Sequence, residues 1–313
     1  MILVTGSLAF DHILNFPGKF GDHILPDKIH NLNVSFLVND MRKSFGGTAG
    51  NIAYSLSLLG IKTAILGFVG DDFSPYREFL VDNEVETKYI RAIEKFYTST
   101  AFGMCDQNDN SIWGFYTGAD SLSDNLSIKE VKEKIDFGII APQNPRAMCR
   151  FADEYKEMGI PYLFDPGMQL TWLLKSDLEE GIAGARIVIG NDYEVDVMEK
   201  KMMIDDLNQL SKRGKIIITT LGEKGSRIVQ NGKETRVKGA RVRSVSDPAG
   251  AGDAYRAGFV AGFIRNFPLS ICGQMGSVAA AYTVEKYGTT THRYTHGQFM
   301  RRYKENFKEE IQL

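Results

Sequence analysis

The sequence predicts an α/β protein: a mainly parallel central sheet with helices on both sides, plus a second, small antiparallel sheet. Three observations lead there. Short aliphatic runs bounded by Gly, Asp, Asn or Thr recur along the chain, as strands buried on both faces do. Segments with apolar residues at helical spacing separate them, and strand–helix–strand alternation implies parallel pairing through right-handed crossovers. Two further regions alternate apolar with polar residues around turn clusters, which marks antiparallel strands with one open face.

Taken in order, the strand-like runs are Ile2-Leu3-Val4, Ile65 to Val69, Gly138 to Ala141, Tyr162 to Phe164, Ile187 to Ile189 and Ile216 to Ile218. Helical patterns fall at 51–59, where Ile52, Leu56 and Leu59 share a face before Gly60, and at 76–82, 128–134, 146–158 and 194–213. Residues 14–40 break this rhythm: Leu32, Val34, Phe36 and Val38 alternate with polar positions. So do residues 98–117, which read as a hairpin around the tip Asp106 to Asn110. These two regions, about 12–40 and 96–118, are assigned to a small lid-like sheet within a single domain spanning 1–313. A hairpin near 225–243 then precedes a glycine-rich loop, helical patterns at 252–265 and 268–286, and an amphipathic segment at 295–308.

Composition narrows the function classes. A chain of 313 residues is long enough to bury about 75% of its unfolded surface. A net charge of −2 argues against a nucleic-acid binder that works by bulk phosphate neutralisation. Cys105, Cys149 and Cys272 are far apart and the five histidines are scattered, so neither a structural zinc site nor a disulfide framework is expected. The N-terminus lacks a basic, cleavable apolar leader, and no apolar run approaches the ~20 residues that span a bilayer. The expectation is a reduced, cytoplasmic protein with no membrane or nucleic-acid partner.

The strongest chemical feature is Asp247-Pro248-Ala249-Gly250-Ala251-Gly252-Asp253, which opens a helical pattern. Small residues leave backbone N–H groups open, and amides at a helix N-terminus form an anion site. Asp253 falls in the first turn, where a carboxylate suits general-base activation of a hydroxyl attacking a phosphorus. A capped glycine-rich turn is the plainer alternative. Gly46-Gly47-Thr48-Ala49-Gly50-Asn51 opens another helix; paired glycines admit a ligand close to the backbone, and Asn51 offers a donor and an acceptor to hydroxyls. Asp11 follows the first strand within Gly6-Ser7-Leu8-Ala9-Phe10-Asp11, at the end where open α/β sheets bind ligands. Asn191-Asp192-Tyr193-Glu194 can orient water on Mg²⁺ or simply form a capping box. Thr220-Leu221-Gly222-Glu223-Lys224-Gly225 can pass close to nucleotide phosphates or make a plain turn.

All five segments follow predicted strands, in this order, in one chain. That arrangement resembles the ribokinase-like (PfkB-type) carbohydrate and nucleoside kinases, over essentially the whole length. The run Val4 to His12, Phe16-Pro17-Gly18-Lys19-Phe20, Leu25-Pro26, Val34 to Val38 and Asp165-Pro166-Gly167-Met168-Gln169-Leu170 is similar to the bacterial adenosine kinases within that family. The resemblance implies a three-layer ribokinase-like sandwich with a β-sheet lid, and assigns roles. Asp253 becomes the catalytic base, with the amides of Ala251, Gly252 and Asp253 as anion hole and Gly250 beside them in the catalytic loop. Ser7, Asp11, Gly46, Gly47 and Asn51 become acceptor-binding residues, with Phe102, Phe115 and Gln169 at the purine. Asn191, Thr220, Gly222, Gly225 and Gly250 become the ATP side, and Glu194 binds Mg²⁺ through water. Met168 stands where the resemblance implies a second amide.

The implied activity is phosphorylation of the ribose 5′-hydroxyl of adenosine by ATP with Mg²⁺, to give AMP and ADP in purine salvage. The resemblance leaves room for a monovalent cation and implies a homodimer through the lid sheet. The rivals are another nucleoside or a free sugar such as ribose or fructose as acceptor, and a non-catalytic nucleoside-binding protein on the same fold. A dinucleotide-binding dehydrogenase is disfavoured, because the first strand is not followed by Gly-x-Gly-x-x-Gly.

Overall fold

A computed structural model of the chain describes residues 1–108 and 110–313. The first half runs β1 (Ile2–Thr5), β2 (Ala9–Asn15), β3 (Asp40–Gly46), α1 (Thr48–Ser57), β4 (Thr63–Val69), α2 (Ser74–Asp82), β5 (Ile90–Ala92), β6 (Ser99–Cys105) and β7 (Ser111–Tyr116). The second runs β8 (Phe137–Ile140), α3 (Pro145–Glu157), β9 (Tyr162–Phe164), α4 (Lys175–Ala183), β10 (Ile187–Asn191) and α5 (Asp192–Met202). It continues with β11 (Ile216–Thr220), β12 (Ser226–Gln230), β13 (Lys233–Val237), α6 (Ala251–Ile264), α7 (Leu269–Val284) and α8 (His296–Phe307).

Nine strands form the central sheet in the order β13-β12-β11-β10-β9-β8-β1-β4-β5. Every pairing is parallel except β11–β12 and β12–β13 at one edge. The aliphatic runs behave as double-faced strands should. Ile187, Ile189, Ile216 and Ile218 pack into one core with α1, α2, α6, α7 and α8. Val188 and Ile217 point the opposite way, into a core with α3, α4 and α5. The result is the three-layer ribokinase-like architecture, with β2, β3, β6 and β7 forming the small second sheet in the order β3-β2-β6-β7.

Several expectations need correction. Residues 32–38 are not a strand. Val34, Phe36 and Val38 are half-buried while Leu32 and Leu37 are exposed, so the alternation is real, but no strand pairs with it. Phe36 instead packs edge-on against Phe16 and Phe20, and aromatic packing replaces the ladder. The lid sheet also extends past 12–40, from Ala9 at the start of β2 to Gly46 at the end of β3. The pattern at 128–134 yields a single turn, Ile128–Glu130. The pattern at 194–213 splits at Met203, which takes the left-handed conformation that caps α5, and a separate 3₁₀ segment covers Leu207–Arg213. Asp109, within the expected hairpin tip, lies outside the described residues. Beside it, Asp106 is buried and accepts hydrogen bonds from the N–H groups of Phe20, Asn108 and Asn110. Burial opposes ionisation there, but these bonds and the Asn110 amide outweigh it and hold the carboxyl near 2. No described helix is long and apolar enough to cross a membrane.

Candidate active site

Five of the predicted segments converge at the carboxyl ends of the central strands. Helix α1 begins at Gly47, whose φ of +84° and Cβ position, 2.5 Å from the Ser7 carbonyl oxygen, leave no room for another residue. Ser7 caps this junction by accepting the Thr48 N–H at 3.1 Å. One turn later, buried Asn51 donates its amide to Asp253 Oδ2 at 2.8 Å. The other end of that amide accepts the Thr289 hydroxyl at 2.7 Å, and the same hydroxyl oxygen lies 3.0 Å from the Phe45 carbonyl. The carboxylate is thus held at a fixed angle from a different helix. Thr289 gave no sequence signal, since it sits in an unpatterned connection after α7.

Helix α6 starts from Gly250, in a left-handed conformation at φ +73°. Asp247 braces the loop by accepting the N–H groups of Ala249 and Gly288. The Ala251 N–H donates to Pro248 at 3.3 Å, whereas those of Gly250, Gly252 and Asp253 have no acceptor among the described residues. These orphan donors at a helix N-terminus are what an anion site requires.

Beneath the loop lies an ion pair that the sequence did not single out. Arg256, one turn past Asp253, pairs with Asp165 at the end of β9, and both are almost wholly buried. The guanidinium passes under Gly252 so closely that a Cβ there would lie 2.7 Å from Nη1. Asp253 is pushed up to about 6: burial dominates, Arg256 and the Asn51 hydrogen bond oppose it, and Asp165 and Glu194 add to it. Asp165 is raised by burial against the pull of Arg256, and Glu194 by burial and Asp165. Three carboxylates share one guanidinium.

Asp11 sits on β2 with its carboxylate against the Cα of Gly46, pushed up to about 6 by burial and by Asp247. Register fixes its face. Asp11 pairs with Ser44 and Ala101, and Ala101 pairs with Phe115. Phe102 lines up with His12 and Gly114 instead, so Phe102 and Phe115 lie on opposite faces of the lid. The Phe102 ring packs on His12, at 5.2 Å.

On the other flank, Asn191 and Thr220 are register partners on β10 and β11, which sets the two expected ATP-side segments side by side. Asn191 and Glu194 form a reciprocal capping box. Gly222 and Gly225 close a tight turn in which Leu221 donates to the Gly225 carbonyl. Gln169 lies on the single turn after β9, half-buried beside exposed Met168. Gln143, just past β8, is 1% exposed, and neither end of its amide has a hydrogen-bond partner among the described residues. Among the described residues no group of three or more His, Cys, Asp or Glu forms a metal cage.

The sequence carries the same message as the geometry. The model of the pfkB family of carbohydrate kinases matches residues 14–295. The chain belongs to that family. Of its relatives, this pfkB-family chain is 31% identical over 310 residues to a nucleoside kinase of Methanothermobacter thermautotrophicus, covering 96% of this chain and 95% of that one. It is 30% identical to an ATP-dependent 6-phosphofructokinase of Thermoanaerobacterium thermosaccharolyticum, over 81% and 83% of the two chains. Its fold superposes on Burkholderia thailandensis nucleoside kinase in complex with inosine with a TM-score of 0.88, at 31% identity and 99% coverage of both. The ADP-inosine complex of that enzyme gives 0.87 at 32% identity.

Proposed function

We propose that this protein transfers the γ-phosphoryl group of ATP to the ribose 5′-hydroxyl of a purine nucleoside, with adenosine as the acceptor. The observation that carries the reading is Asp253, oriented by Asn51 and set beside free amides at the start of α6. Asp253 takes the hydroxyl proton as the oxygen attacks phosphorus, and the N–H groups of Gly250, Gly252 and Asp253 receive the charge that spreads over the γ-phosphoryl oxygens. Asp11 accepts hydrogen bonds from the ribose hydroxyls across the Gly46-Gly47 turn. The neighbouring segments Asn191–Glu194 and Thr220–Gly225 serve the nucleotide.

Mg²⁺ travelling with a triphosphate needs only one or two protein carboxylates besides water, so the lack of a protein cage is compatible with it. Glu194, with one carboxyl oxygen engaged by the Asn191 N–H, retains an oxygen for that role. When bound, the ion neutralises developing charge between the phosphates.

An acceptor panel with ATP and Mg²⁺ tests the reading: adenosine, inosine, guanosine, ribose, fructose and fructose 6-phosphate. Turnover of adenosine well above the sugars is expected; turnover of sugars alone refutes it. Homodimerisation belongs to the same reading and is supported by exposed Met41, Phe102, Ile112 and Tyr116 on the lid face away from Asp11. Sedimentation showing only a 35.0 kDa species at micromolar concentration counts against it.

A further inference from the structure

Helix α6 buries every residue from Ala254 to Gly262, and one of them is an arginine. Arg256 and its partner Asp165 are 7% and 1% exposed. Replacing a buried ion pair by apolar side chains of similar volume is often neutral or stabilising. Fold stability does not by itself account for this one, and its placement points to another role.

The guanidinium meets two elements with two of its edges. Nε faces Asp165 Oδ2, while Nη1 lies beneath Gly252, where an added Cβ would come within 2.7 Å of it. Apart from the backbone of α6 itself and the residues flanking Gly252, the guanidinium alone comes within 4 Å of that position among the described residues. Gly250, Ala251 and Gly252 carry a single methyl group between them, so the first turn of α6 has almost no side chains with which to fix itself. Asp247 braces the loop from its entrance, through Ala249 and Gly288, but does not reach Gly252.

The other end of the pair is anchored in the sheet. Asp165 directly follows β9, and its N–H donates to the Ile140 carbonyl at the end of β8 at 2.9 Å. The pair thus ties the first turn of α6 to two neighbouring strands of the central sheet.

We infer that Arg256 is a positioning residue for the phosphoryl transfer: clamped to the sheet by Asp165, its guanidinium supports Gly252 from beneath and holds the Gly252 and Asp253 amides and the Asp253 carboxylate in reacting geometry. This rests on the kinase reading above and adds a residue to it. The buried side chain acts through the loop. Its planar fork is what the task requires, since an ammonium is a single point charge that can sit at Asp165 or beneath Gly252 but not at both.

Two variants separate this geometry from charge and from folding. Arg256→Met with Asp165→Asn removes both charges together and strands neither in the core. Arg256→Lys keeps a positive charge beside Asp165 and loses the second nitrogen. Denaturant unfolding establishes that each is folded, and kcat and KM are then measured for ATP and for whichever acceptor the panel selects. In both variants kcat should fall roughly 10- to 100-fold, up to the effect of a ~1 Å misplacement of reacting groups, with both KM values near those of wild type. A wild-type kcat in Arg256→Lys shows that charge alone suffices, and a wild-type kcat in the double variant shows that the pair is dispensable. A rise in either KM at unchanged kcat shows that the pair serves binding. Any of these results overturns the inference. A panel in which only sugars turn over removes the nucleoside reading and leaves this test intact. Full activity in Asp253→Asn removes the reading of the site itself, before any Arg256 variant is made.

Discussion

Replacing Asp253 by Asn should destroy activity and at the same time make the protein more stable. The carboxyl is raised from 3.8 to about 6, chiefly by burial, with Asp165 and Glu194 adding to it. That is about two units, and each unit corresponds to about 1.4 kcal/mol, so the ionised carboxylate costs the folded state at most ~3 kcal/mol. Partial exposure of the site lowers the expected figure to roughly 1–3 kcal/mol. The sign follows from the direction of the shift: the folded state holds the proton more tightly than the unfolded chain. The cost is therefore absent below pH 3.8, grows between 3.8 and about 6, and is complete above that. Asn cannot ionise, and its carbonyl oxygen can still accept from Asn51. Urea unfolding should show Asp253→Asn more stable than wild type at pH 8 and equal to it near pH 4. The rate should fall ~10²- to 10⁴-fold, as for loss of a general base, while wild-type kcat/KM shows an acidic limb near pH 6. A variant no more stable than wild type at pH 8, or a difference that does not change with pH, would refute the electrostatic account. An acidic limb near pH 4 would refute the assignment of Asp253 as base.

The buried pair predicts a second pattern. Arg256→Met strands Asp165 in the core and should cost about 3–5 kcal/mol, whereas Arg256→Met with Asp165→Asn should recover more than half of that, by denaturant unfolding. Gly47→Ala places a Cβ against the Ser7 carbonyl in a left-handed conformation. It should lose at least ~2 kcal/mol of stability, measured by thermal melting, and raise the acceptor KM.

Much of this molecule is legible from sequence because its strands are buried on both faces. Ile187 to Ile189 or Ile216 to Ile218 can be little else, and the loops that follow inherit their place at the sheet edge. Failures cluster where a local pattern has more than one tertiary outlet. The alternation at 32–38 fits a strand, but the aromatic cluster of Phe16, Phe20 and Phe36 absorbs it. Phe102 and Phe115 are equally plausible from hairpin spacing, and only the register of β6 against β7 separates their faces. A one-residue slip inverts such an assignment. Arg256 was invisible for a different reason. On an apolar helix an arginine reads as a solvated position, and its partner Asp165 is ninety-one residues away in sequence.

The chain passes between body and lid four times: into β2, out of β3, into β6 and out of β7. The first two passages hold Asp11 and the Gly46-Gly47 turn, the residues proposed to grip the sugar. A sheet attached in this way cannot tilt without carrying its own ligand groups along. Lid position and the placement of Asp11 are then one variable. On the function proposed above, the hydroxyls that engage Asp11 also engage the sheet that carries it. A change in how the lid is tethered is therefore also a change in the proposed sugar site.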